Sequence, residues 1–352
     1  MSKKTSFNVA VLGAGAIGLD HLGSFKQHAA VRLAAVADTS ADRARDAAEL
    51  FNVPFVSADY REVLARPDID VVSIALPNYL HAPVALAALK AGKHVMIDKP
   101  MATNARDAAK LVAEAKKRRV VLMVGQNNRF TPDVQTLKQL VVKGVLGDVY
   151  HAKTAWTRRA GIPRIGSWFT QTKFAGGGST YDIGVHALDR CLYLLGEFDA
   201  AAVSGQTYAK FGPRGLGNGT WGKSEVDPKQ PFDVEDMSVA LIKLKSGRTV
   251  LLETSWAGHQ PVADFNGTQL FGTEAGALMP NLQLFRKTEN GYSTESVATA
   301  TELVNPNRMS HFIDVLLGRA EAYVKPEESL AVQKILDAIY ESARSGREVR
   351  IR

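Results

Sequence analysis

Apolar residues in the first third of the chain come in short β-branched runs separated by amphipathic stretches. Val9-Ala10-Val11-Leu12, Val31 to Ala37, Val71 to Leu76, His94 to Ile97 and Val120 to Val124 are almost continuously apolar. Such runs predict strands buried on both faces, with the intervening helices as cover. From Phe7 to about Gly125 the rhythm is therefore βαβ, and an open, doubly wound parallel sheet with right-handed crossovers is the expected architecture.

After Asn127 the pattern changes. Pro132 to Val142 has helical spacing, whereas Val149 to Trp156, Met237 to Leu244, Arg248 to Ser255 and Thr268 to Phe271 alternate as half-buried strands do. Lys245-Ser246-Gly247-Arg248 reads as a hairpin turn, and Phe211 to Phe232, rich in Gly and Pro, as a surface excursion. Arg308 to Leu317 and Leu330 to Ala343 read as helices. The chain thus divides into an α/β domain over residues 1–127 and an α+β domain with a largely antiparallel open sheet over 128–352. The C-terminal helix is a candidate to pack back on the first domain. No internal repeat or low-complexity tract is present.

With 352 residues, 45% of them hydrophobic, the chain can fill two cores. The single cysteine, Cys191, excludes an internal disulfide and a paired-cysteine metal site, so no metal is expected and a reducing compartment fits. The basic start Met1-Ser2-Lys3-Lys4 precedes an apolar stretch that is short, interrupted by Gly13, Gly15 and Gly18, and without a cleavage pattern. A cytoplasmic location is the expectation, and no apolar run reaches membrane-helix length. The net charge of +7 is dispersed, and its main cluster, Lys116 to Arg119, closes a predicted helix where cations oppose the dipole. Neither nucleic acid nor membrane is an expected partner. The charge suits an anionic cofactor instead.

Gly13-Ala14-Gly15-Ala16-Ile17-Gly18 lies between the first strand and a helix, the setting in which G-x-G-x-x-G signals a Rossmann dinucleotide site. Gly13 permits the tight turn, Gly15 leaves room for a pyrophosphate, and Gly18 lets helix and strand pack closely. Gly13, Gly15, Ala16, Ile17 and Gly18 are the expected cradle. Asp38, twenty residues beyond Gly18, ends the second strand, where its carboxylate can take the ribose hydroxyls of NAD and repel a 2′-phosphate. A cap on the helix after Ser40 would explain it too. NAD is favoured, with NADP as the alternative because Arg43 or Arg45 could meet a 2′-phosphate.

Further stretches extend the pattern: Gly13 to His21, Leu76-Pro77-Asn78 with His81, Ala91-Gly92-Lys93-His94-Val95 leading to Asp98-Lys99-Pro100, Asn128-Arg129-Phe130, Gly176-Gly177-Gly178 running to Asp182-Ile183-Gly184-Val185-His186, and Leu188-Asp189. In combination they resemble the glucose–fructose oxidoreductase/inositol dehydrogenase/rhizopine catabolism (Gfo/Idh/MocA) family across essentially the whole chain. The resemblance implies an NAD(P)-dependent oxidoreductase acting on a sugar or cyclic polyol, a cis Lys99-Pro100 bond and a homodimer or homotetramer. It also implies cofactor contacts from Leu76, Pro77, Asn78, His81, Asp98, Lys99 and Asn127. Asp98 departs from the family's usual Glu, keeping the charge but shortening its reach by one methylene.

Lys99 follows the end of a parallel strand, the edge at which doubly wound folds bind ligands. Asp182 and His186, four apart beyond the triple Gly, would share one helical face. A surface lysine and an ordinary i,i+4 pair are the plainer readings, which the resemblance outweighs. Oxidising a secondary alcohol requires that its hydroxyl proton leave as hydride departs from carbon. An imidazole with a pKa near 6.5 suits that transfer, so His186 is the expected general base. Lys99 would stabilise charge on the reacting oxygen, and Asp182 would bind a substrate hydroxyl or relay the proton. Arg129, Arg158, Arg159 and Trp168 are candidate substrate contacts, although a basic strand and a buried tryptophan account for them equally. Helix capping likewise accounts for His81. The alternatives are an NADP-dependent sugar or keto-sugar reductase, a glycosidase that oxidises and re-reduces substrate on tightly held NAD, and a silent nucleotide-binding regulator. The last would have no chemical need for Lys99, Asp182 and His186 together.

Overall fold

Six parallel strands, β1 (Phe7–Leu12), β2 (Val31–Ala37), β3 (Phe55–Ser57), β4 (Val71–Ile74), β5 (His94–Ile97) and β6 (Leu122–Val124), pair in the order β3-β2-β1-β4-β5-β6. The order reverses between β1 and β4, so the crevice for a ligand lies at the carboxyl ends of those strands. This is seen in a computed structural model, which describes residues 4–220, 224–299 and 307–351. Residues 1–3 of the basic start and residues 221–223 of the Gly/Pro-rich excursion lie outside the described residues.

Helices α1 (Ala16–Lys26), α2 (Ala41–Phe51), α3 (Tyr60–Ala65), α4 (Asn78–Lys90) and α5 (Ala105–Arg118) connect these strands. Val9 to Leu12 and Val95 to Ile97 are fully buried, as strands covered on both faces should be. The three residues of β3 are too few to show a period, and the pattern of the sequence passes over them. α2 begins where the Ser40 hydroxyl accepts from the Arg43 N–H, and α5 where the Asn104 side chain accepts from the Asp107 N–H. Lys116, Lys117 and Arg118 close α5, as the dipole favours.

Beyond Gln126 come α6 (Pro132–Val142), β7 (Val149–Arg158), a short α7 (Thr172–Ala175), and a π turn over Thr180–Gly184 that runs into α8 (Val185–Leu195). Next are β8 (Ala200–Tyr208), β9 (Met237–Leu244), β10 (Thr249–Ser255), β11 (Asp264–Gly272), β12 (Gly276–Met279), β13 (Gln283–Thr288) and β14 (Gly291–Ser296). The chain finishes with α9 (Arg308–Leu316), α10 (Pro326–Ser345) and β15 (Val349–Arg350). The second sheet runs β14-β13-β12-β11-β7-β10-β9-β8-β15, antiparallel throughout except that β7 and β10 are parallel. Leu188, Leu192 and Leu195 from α8, with Ile335 and Ile339 from α10, pack on Val203, Ile242, Val250 and Leu252 of one sheet face. Leu241, Leu251 and Phe265 are exposed strand residues.

The fold divides into two units. Residues up to Gln126 group with Asn305–Leu330, and Asn127–Val304 with Ala331–Arg352. α9 and the first turn of α10 belong with the parallel sheet. Arg308 Nη2 donates to Asp20 of α1 at 2.9 Å, and Asn307 donates to Gln27 at 3.1 Å. Most of α10 packs in the core of the second unit.

Candidate active site

In the first unit, β1 leads directly into the glycine turn. A Cβ at Gly13 would lie 2.2 Å from the Ala75 carbonyl oxygen, and one at Gly18 would lie 1.8 Å from that of Gly13. Any side chain there would push the α1 N-terminus off the sheet. At Gly15, by contrast, a Cβ would meet nothing within 4 Å. Gly15 is also the N-cap of α1 and supplies no side-chain cap. Open space before a helix N-terminus without a side-chain cap is what a pyrophosphate needs. The residues present fit a dinucleotide.

Asp38 is part of this cradle. Its Oδ2 accepts from the Ala14 N–H at 2.8 Å, and its Oδ1 accepts from the Ser40 N–H and from the Arg43 guanidinium at 3.0 Å. Beside its bond from Ala14, Oδ2 keeps lone-pair capacity for a ribose hydroxyl. Arg43 is thus held on Asp38, and Arg45 pairs with Asp42. The expected helix-cap role is taken by Ser40, not Asp38.

Lys99 follows β5 and is half-buried, and its bond to Pro100 is cis, as the resemblance implies. His81, on the first turn of α4, braces this loop. Its Nδ1 lies 2.6 Å from the Pro100 carbonyl oxygen and its Nε2 lies 2.7 Å from that of Leu76. Burial pulls its pKa below the usual value, against an upward push from those carbonyls and from Asp98. Both nitrogens face backbone carbonyls, and whichever carries the proton donates to one of them, so His81 positions Leu76 and the Lys99-Pro100 turn. Leu76 and Pro77 lead into α4 and Asn78 opens it, buried, while Asn127 opens the single turn 127–130.

The shortened Asp98 leaves a gap. Its Oδ1 is 3.9 Å from Nε2 of His21, beyond hydrogen-bond distance, while Nδ1 of His21 meets the Ser73 hydroxyl at 2.9 Å. Burial, followed by the Arg308 charge, holds the His21 pKa well below its ordinary value. Burial thus favours the neutral imidazole here.

In the second unit, Asp182 and His186 stand four apart across the junction of the π turn and α8. The sequence suggests a plain α-helix, and the wider π turn arises where Glu235 gathers the preceding backbone. Glu235 accepts from the N–H groups of Gly178 at 2.9 Å and Thr180 at 2.8 Å, and from the Tyr340 hydroxyl at 2.7 Å. A Cβ at Gly178 would lie 1.8 Å from the Glu235 carbonyl oxygen, so glycine is required by close approach. Burial pushes the Glu235 pKa up against those hydrogen bonds. Asp182 and His186 are both buried. Asp182 Oδ2 accepts from the Trp256 indole at 2.9 Å, and the His186 ring lies 5.6 Å from that of Trp156 at a tilt of 51°. Carboxylate and imidazole are thus each set against a tryptophan.

The candidate substrate residues separate. Arg129 is fully buried, with Nε and Nη2 on the two oxygens of Asp189 at 2.8 and 2.6 Å and its guanidinium over the Tyr193 and Phe198 rings. That is a structural commitment, contrary to the expected substrate contact, and it explains why Asn128-Arg129-Phe130 and Leu188-Asp189 occur together. Arg158 pairs with Asp264 at 3.0 Å and lies over Trp156, whose own indole donates to Asp264. Arg159 donates to the Gln260 carbonyl at 2.8 Å and to that of Pro261, and Trp168 stacks on Phe169.

Glu235 and the two tryptophans escape a reading by motif. Glu235 lies 57 residues from Gly178 in an acidic run, Asp233 to Asp236, whose only signal is its position before an apolar strand. Among the described residues no helix is long and apolar enough to cross a membrane, and no group of His, Cys, Asp and Glu could hold a metal ion.

Residues 7–126 match the family described as "Oxidoreductase family, NAD-binding Rossmann fold", and residues 134–278 match the "GFO/IDH/MocA C-terminal domain". The chain is 31% identical, over 97% of each chain, to D-glucoside 3-dehydrogenase of Escherichia coli (strain K12). It is 30% identical to myo-inositol 2-dehydrogenase of Thermotoga maritima, over 54% of this chain and 55% of that one. A solved levoglucosan dehydrogenase in complex with NADH and levoglucosan superposes with a TM-score of 0.84 at 25% identity, covering 98% of this chain and 99% of that one.

Proposed function

Since the chain belongs to the Gfo/Idh/MocA family of NAD-binding oxidoreductases, we propose that it oxidises a secondary hydroxyl of a sugar or cyclic polyol to a ketone, or runs the reverse reaction. The observation that carries this reading is the buried Asp182 and His186 pair, with the Asp182 carboxylate held by the Trp256 indole. A carboxylate and an imidazole held in this way suit hydroxyl binding and proton removal. The names of the glucoside, inositol and levoglucosan dehydrogenases support a polyhydroxylated substrate.

Bound NAD supplies the hydride acceptor. The α1 N-terminus and the open space at Gly15 would hold its pyrophosphate, and Asp38 would take a ribose hydroxyl through Oδ2. His186 takes the proton of the reacting hydroxyl. The Lys99 ammonium, on a loop braced by His81, would stabilise negative charge developing on the substrate. Asp182 accepts a substrate hydroxyl beside its bond from Trp256. The exposed Leu241, Leu251 and Phe265 support self-association as a homodimer or homotetramer, and the single cysteine supports a cytoplasmic setting.

The test is a screen of inositols, hexoses and glycosides for NAD reduction, followed by Lys99→Met and His186→Ala on the best substrate. Methionine keeps the stem but cannot donate. Turnover should fall by about two orders of magnitude or more, the scale for one oxyanion donor, with NAD affinity nearly intact. Normal turnover in Lys99→Met would remove the lysine from the chemistry.

A further inference from the structure

Asp182 and His186 are held against tryptophans in different ways. Trp256, which donates to Asp182, is fully buried in the second unit. Trp156, whose ring lies 5.6 Å from that of His186, is only half-buried on β7, and its edge is held from the surface. The indole Nε1 donates to Oδ1 of Asp264 at 3.0 Å. Two residues further along β7, on the same face of the sheet, Arg158 donates through Nε to Oδ2 of that carboxylate, also at 3.0 Å. The Arg158 guanidinium lies 4.8 Å from the Trp156 ring. The antiparallel register sets Asp264 opposite Arg158 and Asn266 opposite Trp156, which is why one carboxylate reaches both side chains.

The side chain of Asp264 is 52% exposed, so it adds little to the core, and an exposed ion pair adds little to global stability. Its effect is on direction. The second torsion of a tryptophan is broad, so ring packing alone leaves the indole plane loosely set. A hydrogen bond at Nε1 fixes that torsion, and a guanidinium over the ring resists its swing. Asp264 supplies the first and anchors the second.

We propose that Asp264 is a positioning residue for His186, acting through the plane of Trp156 without touching the imidazole. This rests on the dehydrogenase reading above, which makes His186 the base. Proton removal needs the imidazole nitrogen in line with the reacting hydroxyl, and small errors of placement are costly there. With Trp156 released, His186 spends less time in the productive orientation while the groups that bind substrate are unchanged. A loss confined to the transition state lowers kcat and leaves KM alone.

Steady-state NAD reduction tests this on the sugar or inositol that the screen above selects, with Asp264→Ala, Trp156→Phe and the double variant. Asp264→Ala should lower kcat about fivefold to tenfold, the scale of one hydrogen bond, with KM and melting temperature close to those of the parent. Phenylalanine keeps a ring and has no N–H, so in the Trp156→Phe background Asp264→Ala should change kcat little further. Such non-additivity is the mark of one residue acting through another. A loss that multiplies in full in the double variant, a loss that falls on KM, or an unchanged kcat in Asp264→Ala overturns the proposal. If the parent protein oxidises no sugar, the dehydrogenase reading falls, and NMR of the His186 ring protons, assigned with His186→Ala, decides the positioning separately. These protons lie beside the Trp156 ring, and their resonances should move in Asp264→Ala. Resonances that stay in place overturn it.

Discussion

The indole Nε1 of Trp256 donates a hydrogen bond of 2.9 Å to Oδ2 of Asp182, and both residues are buried. Trp256→Phe keeps the ring and removes the N–H. Removing one hydrogen bond from a buried carboxylate costs about 1–3 kcal/mol. The variant should melt earlier with an unchanged far-ultraviolet spectrum, and its kcat should fall more than its NAD affinity. An unchanged melting temperature would show that Asp182 finds another donor.

Asp38 joins the cradle to cofactor choice. Asp38→Ala removes the acceptor for the Ala14 N–H and the charge that repels a 2′-phosphate, while releasing Arg43. The preference for NAD over NADP should narrow from both sides, with weaker NAD binding and stronger NADP binding. Cofactor titrations of both proteins check this. Tighter NADP binding by the parent protein would refute the specificity argument.

Arg129 and Asp189 form a buried bidentate pair. Arg129→Met removes one partner of this buried ion pair, which costs about 3–5 kcal/mol. Chemical denaturation should show a loss of that order, and the variant that remains folded should keep the parent KM. A raised KM with unchanged stability would return Arg129 to the substrate contacts.

Acid should weaken the protein through His311. Its Nε2 accepts from the Tyr323 N–H at 3.0 Å, which requires the unprotonated nitrogen, and burial lowers its pKa from 6.5 to about 4. A folded-state pKa below the unfolded one means that the unfolded chain binds the extra proton. The stabilisation is therefore complete above pH 6.5 and is lost as pH falls toward about 4. His21 and His81, also lowered mainly by burial, act in the same direction. Denaturant midpoints measured across this range should fall with pH, and His311→Gln should flatten the slope. Parallel curves for the two proteins would exclude His311 as the cause.

Much of this protein is determined locally. The glycine turn and the apolar strands are legible because each imposes its requirement on neighbours in sequence: Gly18 must clear Gly13, and Val9 to Leu12 must be apolar to lie between two helical layers. Asp38 is legible for the same reason, at a fixed reach from the turn whose Ala14 N–H it accepts. Other features belong to the tertiary structure because their partners are distant in sequence. The π turn bearing Asp182 exists because Glu235 binds the Gly178 and Thr180 amides, and no spacing in the chain announces that pairing. Arg129 looks like any polar loop residue until Asp189 closes on it. Local sequence sets which backbone shapes and burial patterns are affordable, whereas the partner of a buried charge is decided only when the chain has folded and water is no longer there to compete.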